Sequence, residues 1–284
     1  MNSIRIAAIV VLYHPSASCI DTIASFYENI DVLLLHQNSP LEDDLRIQIT
    51  QLFTDKCRWI GDTTNQGIAK ALNQAANIAD DLNCQLLLTM DQDSQFQNEH
   101  FAHFSIWAKC LYTKYPLLSP NHYLLGERSY TPRSYPLWVM TSGNILCTKT
   151  FKSIGGFDEC LFIDGVDIEF CARLLQFHSM AVCHDICLIH HLGDSKAHSV
   201  GGVKSYTTHH SPIRHYYIFR NYLYIAQMPH CQHIKRILYR KLRKTLKHIL
   251  LFESLKFAKL RMAWRGFSDY RKGITGPYSH STLN

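Results

Sequence analysis

Four apolar runs, each ending in polar residues, organise the first third of the chain. Ile6–Tyr13 (IAAIVVLY) is apolar throughout and stops at His14-Pro15, the pattern of a strand covered on both faces. Val32–Ser39 (VLLLHQNS) and Cys57–Asp62 (CRWIGD) repeat it more briefly, and Gln85–Met90 (QLLLTM) ends in Asp91-Gln92-Asp93. Between the runs, Ser18–Asn29, Leu41–Phe53 and Ile68 to about Leu82 can form helices. Strand and helix alternating at this spacing predict an α/β fold built on a parallel sheet. Ligands of such sheets bind beyond the carboxyl ends of the strands. Here those ends carry Tyr13-His14, Gln37-Asn38-Ser39, Asp62 and Asp91-Gln92-Asp93.

Past Asp93 the pattern is mixed. Glu99–Tyr112 reads as helix, and residues 116–136, rich in Pro and Tyr, read as loop with an edge strand. Trp138–Thr148 reads as one strand interrupted at Ser142-Gly143, where backbone can approach a ligand closely. Leu161–Phe177 takes helical spacing in its later part. Its acids Asp164, Asp167 and Glu169 suit a helix N-terminus whether or not they do chemistry. Met180–His190 alternates as a strand. Its Cys183, His184 and Cys187, with His190 and His191, could also serve zinc, at looser spacing than zinc sites use. From Tyr216 onward the chain reads as helix broken by Pro229, and after Gly273 as loop.

Composition narrows the class. With 46% hydrophobic and 18% charged residues in 284, the chain is globular rather than disordered. No run approaches the roughly 20 apolar residues of a membrane span. The first run is too short for a secretory leader with normal flanks, so an unprocessed cytosolic protein is expected. Ten cysteines without a CxxC pair read as reduced thiols. No GxGxxG or GxxxxGK[ST] occurs, which excludes the dinucleotide fingerprint and the Walker loop. The net charge of +6 belongs to one segment: residues 233–261 hold ten Lys/Arg against the single acid Glu253. With Leu, Ile, Phe and Tyr interleaved, that segment reads as an amphipathic membrane-surface element or as a solvated helix face.

Taken in order, VVLYHP, NQGIAKALNQA (Asn65–Ala75), LLLTMDQDSQF, TSGN, IGGFDECLFIDGVDIEFCARL, HHLGD (His190–Asp194) and RHYYIFRN (Arg214–Asn221) resemble a known family. The chain is similar to family 2 glycosyltransferases of the GT-A fold, most closely to the rhamnosyltransferase group of bacterial polysaccharide and O-antigen synthesis. The resemblance runs from Val10 to about Gly273. It implies a Rossmann-like, mostly parallel sheet with a smaller mixed acceptor-side half and a helical C-terminal segment. It divides the chain into a catalytic domain, 1–212 (nucleotide-sugar half 1–96, acceptor half 97–212), and a basic helical extension, 213–284.

The resemblance also implies roles. Asp93 and Asp91 of the DxD would hold Mg²⁺ or Mn²⁺ against the donor diphosphate, with His190 completing the shell, and Asp91 also facing the ribose. Asp167 aligns with the family's catalytic base, and Asp164 with a supporting carboxylate on the acceptor side. Tyr13, His14, Asn38, Asp62, Asn65, Gly67 and Lys70 would receive the nucleotide-sugar. One-step displacement with a single base implies inversion at the anomeric carbon. Two departures stand out: Val166 replaces the Glu that precedes the base in the family, and Gln37 stands where relatives carry Asp or Asn.

The implied reaction is transfer of rhamnose from dTDP-rhamnose to a lipid-linked saccharide at the inner face of the cell membrane. There an anionic surface would attract residues 233–261. A UDP-hexose or UDP-galactofuranose is the alternative donor. A DxD phosphatase is a more distant reading, because its motif ends the first strand rather than the fourth. A nucleic-acid binder would leave Asp91, Asp93, Asp164 and Asp167 unexplained, so no nucleic-acid partner is expected.

Overall fold

The structure, a computed structural model, describes residues 3–124, 136–190, 195–200, 203–208 and 210–279; for Leu124 and for 195–200 and 203–208 it describes the backbone only. The motif residues 191–194 and the Pro- and Tyr-rich stretch 125–135 lie outside the described residues.

Each apolar run forms a strand: β1 Ile6–Leu12, β2 Val32–Gln37, β3 Cys57–Ile60 and β4 Leu86–Asp91. They pair in parallel in the order β3-β2-β1-β4. Side chains alternate across this sheet, so β1 gives Ala7, Ile9 and Val11 to one face and Ile6, Ala8, Val10 and Leu12 to the other. The intervening segments form helices α1 Cys19–Ala24, α2 Asp43–Leu52 and α3 Ile68–Asp81. Helix α3 covers the first face with Ala69, Ala71, Ala75, Ala76 and Ala79, small side chains that bring the helix close to the strands. The other face is covered by Ile23 of α1, Ile49 of α2, and Phe101 and Phe104 of α4 (His100–Leu111).

The second half extends the same sheet in mixed fashion. The full order is β3-β2-β1-β4-β7-β6-β8-β5, with β5 Ser94–Phe96, β6 Leu117–Leu124, β7 Asn144–Cys147 and β8 Met180–His190. Strand β7 is antiparallel to β4 and β6, β8 is parallel to β6, and β5 is antiparallel to β8. A separate two-stranded sheet pairs β9 Ser195–Val200 with β10 Val203–Thr208.

Two expectations need correction. The 116–136 stretch contains an interior strand, not loop with an edge. Strand β6 sits between β7 and β8, and Pro120 is tolerated because the β6–β8 register shifts between Pro120 and Asn121. Conversely, Trp138–Thr148 is a strand only over Asn144–Cys147; Thr148 opens α5 (Thr148–Ser153).

Helix α6 (Val166–Leu174) follows the acid-rich loop. The C-terminal segment then folds as α7 Pro212–Ile225, a 3-10 turn Pro229–Ile234, α8 Lys235–Leu251 and α9 Lys256–Arg271. Helices α7 and α9 pack so closely that a side chain at Gly266 would run into the Tyr216 carbonyl. Among the described residues, no helix is long and apolar enough to cross a membrane.

Candidate active site

The turn after β4 holds Asp91, Gln92 and Asp93, and its middle residue fixes it. Gln92 Oε1 accepts the Tyr13 N–H at 2.8 Å, and its Nε2 donates to the Tyr13 carbonyl at 3.0 Å. The Thr22 hydroxyl donates to the Gln92 carbonyl at 3.0 Å. Ser142 Oγ accepts the Asp91 N–H at 3.0 Å. The Ser142-Gly143 turn can lie this close because Gly143 has φ +78°, where a Cβ would collide with Leu188 and Pro120. The close backbone approach expected at Ser142-Gly143 is therefore present, but toward β4.

Strand β5 leaves this turn at once and pairs with the end of β8, setting Ser94 opposite His190. The Ser94 hydroxyl hydrogen-bonds His190 Nδ1, which leaves Nε2 for another ligand. Ligand atoms of Asp91, Asp93 and His190 lie within 4.8 Å of one another. Burial pushes the Asp91 carboxyl above its ordinary range; His190 opposes that shift and Asp93 adds to it. Two carboxylates and an imidazole converging on one point, one acid already disfavoured as a bare anion, fit a hard divalent cation. Among the described residues no zinc group forms on β8: Cys183 and Cys187 are buried free thiols, His184 is exposed, and His191 lies outside the described residues.

On the donor side, Tyr13 and His14 end β1 exposed, their rings edge to face at 4.4 Å. Asn38 is buried and engaged on both sides: Nδ2 donates to Asn65 Oδ1 at 3.2 Å, and Oδ1 accepts the Gln66 N–H at 2.8 Å. It shapes the 62–67 loop through these bonds. Gln37 turns its amide oxygen to Arg46 at 3.1 Å. Asp62 Oδ1 accepts from the Thr64 hydroxyl and Gln66 Nε2, which together hold its carboxyl below the usual range. Gly67, at φ +80°, touches Phe162 where any Cβ would clash, and Ile68 N–H donates to the Phe162 carbonyl at 2.9 Å. Lys70 is exposed in the first turn of α3.

Phe162 begins the loop that carries the two remaining acids. Asp164 (φ +62°) and Gly165 (φ +89°) both take the left-handed conformation, and a Cβ at Gly165 would meet Ile225. Asn221 of α7 holds the loop open by donating Nδ2 to the carbonyls of Leu161, Ile163 and Asp164 at 2.6–2.9 Å. Asp164 receives Arg214 Nε on both oxygens at 3.1 Å, and an Arg214 Nη2 contact at the same distance. Among the described residues no side chain bonds to the Asp167 carboxyl; the backbone N–H groups of Ile168 and of Asp167 itself do. Burial raises it to about 6, with the Ile168 N–H and then Lys241 pulling it down and Asp164 pushing it up. Glu169 separates from this pair: it faces the other side of α6, buried between Arg173 and His230.

Nothing among protein-family models matches the chain. A similar protein is the dTDP-rhamnosyl transferase RfbF of Shigella flexneri, 24% identical over 298 residues that cover 97% of this chain and 98% of RfbF. Among solved structures, S. aureus TarS 1–349 in complex with UDP-GlcNAc superposes with a TM-score of 0.62 at 14% identity, over 95% of this chain and 82% of TarS. GalNAc-T7 with UDP, GalNAc and Mn²⁺ gives 0.58 at 12%, over 95% of this chain and 58% of that one. The chain is a glycosyltransferase of the GT-A fold. Its likeness to the rhamnosyltransferase-like group, expected from the ordered motifs, extends over nearly its whole length.

The glycosyltransferase adds residues that sequence reasoning did not single out. Gln92 is the unlettered position of DxD, and Arg214 and Asn221 are the two ends of RHYYIFRN, a motif noted without roles. Lys241 sits inside the basic run, where nothing distinguishes it from its neighbours. Its ammonium lies 4.9 Å from the Trp138 ring centroid and 6.0 Å from that of Tyr222.

Proposed function

We propose that this glycosyltransferase moves rhamnose from dTDP-rhamnose, with inversion, onto a lipid-linked saccharide at an anionic membrane surface. One juxtaposition carries the reading: Asp91, grouped with Asp93 and His190 as cation ligands would be, and Asp164 both act on Arg214, and Asp164 neighbours Asp167, a partly buried acid with no side-chain partner among the described residues. The near full-length likeness to a dTDP-rhamnosyl transferase supports the choice of sugar.

Asp91, Asp93 and His190 Nε2 would hold Mg²⁺ or Mn²⁺. Such an ion, when bound, neutralises charge building on a departing diphosphate. The remaining work falls to the chain. Tyr13, His14 and the 62–67 loop frame the nucleotide, and Lys70 at the start of α3 adds positive charge near the phosphates. Asp167 takes the proton of the attacking hydroxyl; an acid raised to about 6 is both ionised at neutral pH and a useful base. Asp164, already paired with Arg214, shapes the acceptor side instead.

A UDP-sugar is the second reading, favoured by the UDP-containing structures of TarS and GalNAc-T7. A thermal-shift panel of sugar nucleotides with Mg²⁺ or Mn²⁺ separates the two. dTDP-rhamnose is expected to give the largest metal-dependent stabilisation, and Asp93→Ala to remove it. A larger response to a UDP-sugar moves the assignment to that donor, and a flat response to all of them sinks it.

The membrane contact is drawn from the C-terminal helices. Leu250, Leu251, Leu255 and Phe257 are 49–91% exposed at the α8–α9 turn, beside exposed Arg243, Lys244, Lys247, Lys256 and Arg261. The one acid of the segment, Glu253, is buried against Lys259 at 2.6 Å and His215 at 3.3 Å, so this face shows only apolar and positive groups. That combination suits the inner, anionic face of a cell membrane. The chain is expected to co-sediment with vesicles containing phosphatidylglycerol more than with phosphatidylcholine alone. Leu251→Ser/Phe257→Ser is expected to lose most of that binding; equal sedimentation with both vesicle types, or none, removes the membrane from the proposal.

A further inference from the structure

Asp164 and Asp167 lie at the start of α6, and each has a cation near it in a different way. Asp164 has Arg214 in direct contact. Asp167 has no bonded cation; the one that reaches it comes from α8, the helix richest in basic residues. Lys241 is partly buried, and no described residue accepts a hydrogen bond from its ammonium. Its ammonium lies over aromatic faces, those of Trp138 and Tyr222. Tyr222 lies against the turn that launches α6, its ring 3.5 Å from where a Gly165 Cβ would stand. Trp138 adjoins Val139, whose backbone faces Cys171, one turn beyond Asp167 on α6. Through Tyr222 the cage therefore lies against the start of α6.

A solvated helix lysine would be indifferent to such surroundings. This one is held where burial disfavours its charge, a condition that requires compensation. Two aromatic faces supply part of it, because their ring quadrupoles attract an ammonium. The rest comes from an anion, and Asp167 is the acid whose charge it feels.

We propose that Lys241 is a positioning residue of the transfer reaction: caged by Trp138 and Tyr222 beside the start of α6, it favours the ionised form of Asp167 through space, without the direct salt bridge that Asp164 makes. The assignment rests on Asp167 being the base. A direct salt bridge, as at Asp164, would occupy the lone pairs that must take the proton. A cation set back from the carboxylate supplies the charge without occupying them. The groups facing Asp167 are Lys241 of α8, Tyr222 of α7, Asp164 of the preceding loop and Cys171 of α6 itself. Of these Lys241 is the one cation. Helix α8 of the basic segment thereby takes part in the catalytic site.

The test is the titration of Asp167, followed by carbon NMR of aspartate carboxyls in the full-length protein and assigned by its loss in Asp167→Asn. The wild-type midpoint is expected near 6. Lys241→Met should raise it by about one pH unit, the scale of a charge interaction in a partly buried site. Lys241→Arg should hold it within a few tenths, and Lys244→Met, an exposed control on the same helix, should leave it unchanged. Lys241→Gln carries the same expectation as Lys241→Met, so a folding defect in one variant does not remove the test. In the transfer assay, the acid limb of the pH profile should move with the midpoint. An unmoved midpoint in folded Lys241→Met, or an Arg variant that shifts as far as Met, overturns the proposal. Because the titration needs no donor, failure of every sugar nucleotide would count against the transferase reading and leave this result standing.

Discussion

Asp167→Asn is expected to abolish sugar transfer and, at the same time, to make the protein more stable at neutral pH. Removing a general base lowers kcat by about 10²–10⁴-fold, while donor binding, which depends on other residues, should persist in the thermal-shift assay. The stability gain follows from the raised carboxyl. Between its unfolded value, near 3.8, and its folded value, about 6, the native state binds a proton that the unfolded state has released. Stability therefore falls as pH rises through that window, and the full penalty is present above it. Asparagine carries no charge to bury. The variant should gain up to about 3 kcal/mol over wild type at pH 7–8, with the difference closing below pH 4. Chemical denaturation at pH 4, 6 and 8 measures this directly. A variant that is less stable at every pH would place Asp167 among the structural acids.

The second large effect concerns the scaffold behind that acid. Arg220 is fully buried, and among the described residues no carboxylate contacts it. Its guanidinium donates to the carbonyls of Cys160, Leu161 and Gly276 and to the Tyr216 hydroxyl, with the Tyr216 and Tyr217 rings 5.1 and 5.2 Å away. Tyr216 in turn donates to buried Asp269. Arg220→Met keeps the length of the side chain but leaves several carbonyls unanswered. A loss of about 3–5 kcal/mol is expected, roughly a 10 °C fall in Tm for a chain of this size. Arg220→Lys should recover little, because one ammonium cannot reach carbonyls arranged for a planar fork. Thermal unfolding of the two variants decides it; a Tm within a degree of wild type would show that Asn221 alone secures the loop.

These two residues illustrate what could be read from the sequence. Strands β1, β2 and β4 were legible because burial on both faces writes an uninterrupted apolar run. The order of motifs then fixed Asp91, Asp93, His190 and Asp167 as candidates, and the fold brings the first three together. Strand β6 was illegible because Pro120 imitates a loop unless the register shift beside it is known. Residues 138–143 misled in the other direction: Trp138, Val139 and Met140 look like strand, yet the chain peels away so that Ser142 can meet Asp91. Arg220 and Lys241 could not have been separated from other basic residues. What distinguishes them is the set of rings and carbonyls around them, of which the Cys160, Leu161 and Gly276 carbonyls at Arg220 and the Trp138 ring at Lys241 come from distant parts of the chain.

The bond pair between Gln92 and Tyr13 has a further meaning. It ties the turn bearing both DxD acids to the end of the strand that would meet the nucleotide. A floppy acidic turn would have to be ordered each time a donor arrived, and that entropy would be subtracted from affinity. Here the ordering is completed when the chain folds. The letter left blank in D-x-D is, in this protein, the hinge pin that makes the spacing of the two acids a property of the fold rather than of the ligand.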